Sequence, residues 1–432
     1  MKYNVIDYGA EVDGALCTEA IQNAIDACFL AGGGEVIIPA GRFITGGLRL
    51  RSNVTLHLLS GARLVGSTNP EDYVGYINDK IEPISEEERE SIAPTVMEGN
   101  TARSAMPFSR WNNAIIRVIN ANNVAIIGDE GSEINGRNCF DEVGEEKYRG
   151  PHAINMWYSK NIRLEGYTIV DSANWAHAIH NSANITLRGV TVLGGHDGFD
   201  VRTCDNVEIE GCTFKTGDDC IAGFDNINVT VRNCYFESSC SLLRFGGYNI
   251  LVEDCIGVAP SSYGFRGSLT DEKKRAMAAT DETCKHTCTY VFNYYCDNRA
   301  KVRVTPGNIL FRNCRFTRPE AIIGQPFGVL WCTNRSLNDL TFVNCRFEDV
   351  GDASLLWCPE NEPLTLNMTD CAITARAGSE DKALFDGRFV KEINLTNVSI
   401  EGFENPHATM EPAAIINVAN GPDVAMMTRK DR

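Results

Sequence analysis

Four aspartates in this chain have the type and spacing to do chemistry: Asp197 and Asp200 in Gly195-His196-Asp197-Gly198-Phe199-Asp200, and Asp218 and Asp219 in Gly217-Asp218-Asp219-Cys220. Members of the two acidic turns lie 18 to 22 residues apart, close to the interval at which the surrounding sequence repeats. Groups one period apart in a repeat should stand one above the other on a single face. Crowding of carboxylates raises the pKa of one of them, so a proton donor and an ionised base can coexist near neutral pH. That is the equipment of general acid and base catalysis. The bland alternative is a row of solvated Asp turns, and the concentration of these acids in two consecutive repeats argues against it.

Such turns need a scaffold that stacks them. Asn161-Ile162-Arg163-Leu164, Asn184-Ile185-Thr186-Leu187, Asn206-Val207-Glu208-Ile209, Asn228-Val229-Thr230-Val231 and Asn249-Ile250-Leu251-Val252 open units 23, 22, 22 and 21 residues apart. Each is a short alternating strand opened by a turn-forming Asn, and most lead through Gly or Asn and a small apolar residue into another short strand. The pattern returns at Asn308, Leu340, Leu364 and Ile393, and is foreshadowed at Asn53 and Asn123. A unit this short cannot bury its apolar face alone, so coils must stack with their strands parallel at about 4.8 Å. The sequence therefore predicts an all-β chain, a right-handed parallel β-helix of roughly a dozen coils, with residues 1–432 as one domain. Enrichment in Val, Ile, Thr and Asn with period-two alternation disfavours a helical solenoid.

Two stretches stand outside the repeat. Residues 18–31 place apolar side chains at helical spacing behind a Thr18 cap and end at Gly32-Gly33-Gly34, which predicts an amphipathic helix capping the open end of the coil stack. Residues 77–112 form a charged insertion, with a predicted helix around Ser85-Glu86-Glu87-Glu88-Arg89-Glu90, that projects near the cleft or is a solvated excursion. Among the 17 cysteines, Cys212, Cys234, Cys255, Cys314, Cys345 and Cys371 share one slot just after the first strand of their units. That suits small buried thiols stacked on one another better than disulfides. Cys284, Cys288 and Cys296 with His286 fit no common zinc-finger spacing, and neither metal nor cofactor is expected.

The net charge of −17, from 57 acids against 40 bases, argues against nucleic acid or an anionic membrane as partner. It does not exclude an acidic sugar polymer, since a local basic cleft acts within a Debye length of about 8–10 Å. Met1-Lys2-Tyr3-Asn4-Val5-Ile6 runs directly into a strand, with neither a secretory apolar core nor a bilayer-spanning run. This reads as a cytoplasmic protein, or a secreted one whose leader has been removed. The sequence leaves the oligomeric state open.

The motifs resemble those of glycoside hydrolase family 28, the polygalacturonases and their relatives. Tyr8-Gly9-Ala10, Asp13-Gly14, Gly32-Gly33-Gly34, Pro39-Ala40-Gly41, Thr45-Gly46-Gly47 and Gly61-Ala62-Arg63-Leu64 are similar to the N-terminal region of that family, Trp175 through His180 to its approach to the cleft, and the two acidic turns to its Asn-Thr-Asp-Gly-x-Asp and Gly-Asp-Asp-Cys motifs. The resemblance covers residues 3–270 best. It implies a pectin-lyase-like β-helix acting without a cofactor on an oligo- or polysaccharide. By it, Asp218 is the proton donor, while Asp197 and Asp219 hold and deprotonate the attacking water. Such an inverting pair needs carboxyl groups about 6.5–9.5 Å apart, which outward-pointing aspartates on adjacent coils can supply.

The departures bear on substrate. His196 stands where the family has Thr, Cys240 stands where it has the His of Gly-His-Gly, and Arg266-Gly267-Ser268 keeps the Arg of Arg-x-Lys without the Lys. Loss of a His and cations removes charge-assisted contacts to a sugar carboxylate. Arg244 and Arg266 could rebuild such a clamp or neutralise the aspartates, and His180, His196 and Asp200 could meet sugar hydroxyls. The expected activity is inverting hydrolysis of an α-linked glycoside of pectic or related type. A β-helix lyase or uronate epimerase and a non-catalytic glycan-binding solenoid are the alternatives.

Overall fold

The computed structural model describes residues 1–73, 110–276, 283–296, 302–326 and 335–428, so most of the 77–112 insertion, with its predicted helix, lies outside the described residues. The chain gathers into two compact units, Met1–Glu208 with Phe265–Cys284, and Ile209–Gly264 with Lys285–Arg432. Each unit is a run of parallel β-helix coils with three strands to a coil, as the repeat predicts.

In the first unit one coil consists of Lys160–Glu165, Thr168–Val170 and His177–His180, and the next of Ala183–Arg188, Thr191–Gly194 and Phe199–Arg202. Strands pair in parallel and in register, Ile162 on Ile185, Ile169 on Val192 and Ile179 on Val201. Ile162, Leu164, Ile185 and Leu187 are buried while Arg163 and Thr186 between them are not. Period-two alternation thus fixes which face enters the core, and a slip of one residue would expose it.

The second unit repeats the scheme with Asn226–Arg232, Tyr235–Ser238 and Ser241–Phe245, continued by Gly247–Glu253, Ile256–Val258 and Tyr290–Tyr294. Val229 pairs with Ile250, Phe236 with Gly257 and Leu243 with Phe292. Here the predicted cysteine slot is filled as expected. Cys212, Cys234, Cys255, Cys314, Cys345 and Cys371 are all buried, and no described cysteine forms a disulfide. Each thiol points at a backbone carbonyl two residues earlier, as Cys234 does at Arg232 O over 3.2 Å. The Cys212 thiol, and then burial, push Cys234 up to about 12 against the pull of Cys255, which keeps it protonated and inert.

The Asn heading each unit does two jobs. It takes the left-handed backbone, φ 58° at Asn161, 57° at Asn184 and 57° at Asn206 in the first unit, 59° at Asn228 and 60° at Asn249 in the second. Asn tolerates that conformation better than other non-glycine residues. Its amide also joins a ladder: Asn184 Nδ2 donates to Asn161 Oδ1 at 2.9 Å, and Asn206 Nδ2 donates to Asn184 Oδ1 at 3.0 Å. Asn184→Ala loses both hydrogen bonds and strains the backbone, an expected cost of about 1–3 kcal/mol. Asn184→Gly keeps the backbone relaxed and should cost less. Urea unfolding of the two variants measures the difference, and equal losses would remove the backbone part of the account.

The predicted capping helix is Thr18–Leu30 and buries Ile21, Ala24, Ile25 and Cys28. Those residues recur at helical spacing, and the helix packs on Lys2–Asn4, Gly34–Ile38 and Leu48–Leu50. Its cap corrects the sequence expectation. The N-cap residue is Cys17, which makes no side-chain capping bond. Thr18 is the first helical residue, and its Oγ1 accepts instead from Gly46 N at 2.7 Å, so the hydroxyl ties the helix to the coil below.

Candidate active site

The first acidic turn lies between strands Thr191–Gly194 and Phe199–Arg202 of the first unit. Asp197 is 4% exposed, and its carbonyl accepts from Ala176 N of the preceding coil at 2.8 Å. His196 beside it is buried, with its ring 5.9 Å from Tyr148 and its Nε2 3.4 Å from Arg266 Nη1. Burial, and then the positive charges of Arg149 and Arg266, hold this imidazole well below its ordinary pKa, so it is neutral. Its Nδ1 has no partner among the described residues.

His180 is also buried and neutral, by burial first and the Arg202 charge second. Its ring stacks on Trp157 at 4.1 Å. Asp200 is gripped by Arg202 through hydrogen bonds of 2.8 and 2.9 Å, and that guanidinium lies over Trp175 at 4.4 Å. His180 and Asp200 are therefore packed against protein groups. Arg266 is 1% exposed, with Nη1 donating to Asn138 Oδ1 at 2.7 Å.

The second acidic turn belongs to the second unit and runs from Thr213–Thr216 into Ile221–Phe224. Two hydroxyls fix it: Thr216 Oγ1 donates to Asp218 O at 2.8 Å and Ser238 Oγ to the same oxygen at 2.7 Å. Ser238 Oγ also accepts from Cys240 N at 2.8 Å, which joins the Asp218 turn to the Cys240 turn of the next coil. As a result Asp218, Asp219 and Cys240 bring their functional atoms within 4.8 Å of one another. Among the described residues this trio alone has the spacing of a metal-ligand group, whereas Cys284, His286, Cys288 and Cys296 form none. Arg244 completes the group, its Nη1 3.8 Å from Asp219 Oδ2 and its guanidinium 4.0 Å above the Tyr295 ring, with the side chain 30% exposed.

The sequence pointed to outward aspartates, and only Asp218 is partly exposed. Asp219 is 1% exposed, and burial together with the adjacent Asp218 charge raises its pKa to about 7 against the pull of Arg244. A buried carboxylate beside another is costly, so the pair keeps a proton. The native state then holds that proton up to about pH 7, whereas an unfolded Asp releases it near pH 4. Stability is therefore expected to fall as pH rises from about 4 to about 7. Asp219→Asn should flatten that slope, and urea unfolding at several pH values in this window would show it; an unchanged slope would place the proton elsewhere.

Tyr295 and Ser238 escaped the sequence reading. Tyr295 carries no periodic signal, but Thr216 and Ser238 are hydroxyl residues 22 positions apart, and a hydroxyl recurring one period apart beside an acidic turn was visible.

Residues 89–242 match the family described as Glycosyl hydrolases family 28. The match spans both acidic turns. Over that region the chain is similar to glycoside hydrolase family 28. It is 29% identical over 243 residues to a probable polygalacturonase of Vitis vinifera, which covers 52% of this chain and 45% of that protein. It is 24% identical over 405 residues to an exo-poly-alpha-D-galacturonosidase of Dickeya chrysanthemi, covering 81% of this chain and 64% of the other. The chain thus spans about half to two thirds of the length of these curated relatives. Among solved structures, the family 28 exopolygalacturonase of Yersinia enterocolitica matches with a TM-score of 0.64 at 16% identity, over 98% of this chain and 78% of that one. That likeness is one of fold. No described helix of this chain is long and apolar enough to cross a membrane.

Proposed function

We propose that this chain hydrolyses α-linked glycosidic bonds of pectic or related oligo- and polysaccharides with inversion at the anomeric carbon. Asp218 protonates the leaving oxygen, while Asp197 and Asp219 hold the attacking water, whose proton passes to whichever of the two is ionised. The Asp218–Asp219 pair carries the reading. Asp218 is the partly open member of the pair and Asp219 the sealed one, so a ligand oxygen can reach the first carboxyl while the second stays inside, an arrangement suited to a general acid at Asp218. The polygalacturonase and galacturonosidase relatives supply the substrate class. Arg244, whose guanidinium lies 4.0 Å from the Tyr295 ring centroid, offers donors for a sugar oxygen.

Incubation with polygalacturonate and shorter galacturonides, followed by proton NMR of the first product, tests the reading. The expected product has the β configuration at its new reducing end. Retention of configuration rules out the inverting mechanism, and an unsaturated product absorbing in the ultraviolet points to a lyase instead.

A further inference from the structure

Arg266 keeps the place of a family cation but not the exposure that reading a substrate would need. Its side chain is 1% exposed. The guanidinium spends Nη1 on Asn138 Oδ1 at 2.7 Å and Nη2 on Lys274 O at 3.4 Å. A buried guanidinium engaged in this way is held by its partners and cannot swing out cheaply.

What it touches along its length is the turn that carries Asp197. The Arg266 amide donates to Gly195 O at 3.5 Å. Its aliphatic stem lies so close to Gly195 that a Cβ there would sit 2.3 Å from Arg266 Cγ. Its Nη1 is 3.4 Å from His196 Nε2. Asn138, the anchor at the far end, is itself fixed by a 2.8 Å bond from its amide to Asp171 O, and the Asp171 amide bonds Leu193 O at 2.9 Å. Leu193 is the penultimate residue of the strand Thr191–Gly194 that leads into the turn. A closed circuit therefore runs from the strand through Asp171, Asn138 and Arg266 back to Gly195 and His196, and Asp197 is the next residue.

We infer that Arg266 is a positioning residue which fixes the Gly195-His196-Asp197 turn, and that it does not read a substrate carboxylate. The inference rests on the proposed role of Asp197. It explains the glycine at 195, where any side chain would collide with the arginine stem, and it leaves Arg244, 30% exposed beside Asp219, with surface for a ligand.

Arg266→Lys and Gly195→Ala attack the same contact from its two sides. A misplacement of about 1 Å at a reacting group costs on the order of 10²-fold in rate. Both variants are therefore expected to lower kcat by roughly 10- to 100-fold, with KM little changed, and equally on free and methyl-esterified pectic substrates. A rise in KM confined to the free acid, with kcat kept, would make Arg266 a carboxylate reader and overturn the inference. Amide hydrogen exchange provides a readout independent of turnover. Residues 194–198 should exchange faster in both variants while the rest of the chain and its melting temperature hold, and unchanged exchange in that turn also overturns the inference. If the wild type turns over no pectic substrate, the functional reading fails by itself, and the exchange measurement still decides whether Arg266 holds the turn.

Discussion

Replacing Asp218 with Asn is expected to lower kcat on the best pectic substrate by about 10²- to 10⁴-fold, the usual contribution of a positioned proton donor. The substitution keeps shape and removes the acid group that would donate the proton. The turn should survive it, because the bonds from Thr216 and Ser238 end on the backbone oxygen of residue 218 and not on its side chain. Melting temperature and KM are accordingly expected to change little, and reducing-end assays on enzyme matched for melting temperature would isolate the chemical step. The pH profile adds a second check. Burial and the adjacent Asp218 charge hold Asp219 up at about 7, so removing that charge in Asp218→Asn should move the corresponding limb of the pH profile to lower pH. A loss of less than tenfold would strip Asp218 of the donor role.

The scaffold was legible in the sequence because coil stacking writes a periodic signature. Asn161, Asn184 and Asn249 announce left-handed residues at the heads of strands, and the backbone has them there. Cys234, Cys255 and Cys314 announce one buried slot, and they fill it. The candidate site was legible only as residue types at a period. That Asp219 is sealed and Asp218 half-open follows from neighbours such as Ser238 and Tyr295, and no rule of spacing names them. Least legible was Arg266. Its bond to Asn138 joins residues 128 positions apart, and no period of the repeat relates the two positions. The motif position alone suggested a substrate clamp, whereas burial shows a bond to the protein's own Asn138. His180 follows the same logic: stacking on Trp157 depends on which face of the strand is covered, and a single sequence does not state it.

Truncating Phe311 to Ala is the core substitution expected to cost most, about 3–5 kcal/mol. Phe311 is fully buried in the second unit. Its ring lies 4.9 Å from Phe342, 5.4 Å from Phe292 and 6.3 Å from Phe316, so three coils meet on it. In-register pairing puts Phe311 directly on Phe342, and neighbouring coils cannot close the void without giving up their own hydrogen-bonded register. Coil stacks derive much of their stability from interfaces between adjacent repeats, and removing this ring weakens contacts on both sides at once. Gly257 shows how tightly that core is filled, since a Cβ there would lie 2.7 Å from Phe316 Cδ1. Phe311→Leu, which keeps most of the volume, should cost less than half as much. The double variant Phe311→Ala with Phe342→Ala should fall short of the sum of the single losses, because the two rings share one contact. Urea unfolding of these variants and of Phe342→Ala, followed by tryptophan fluorescence, would measure the cycle, and strict additivity would show that the rings contribute separately and not as a stack.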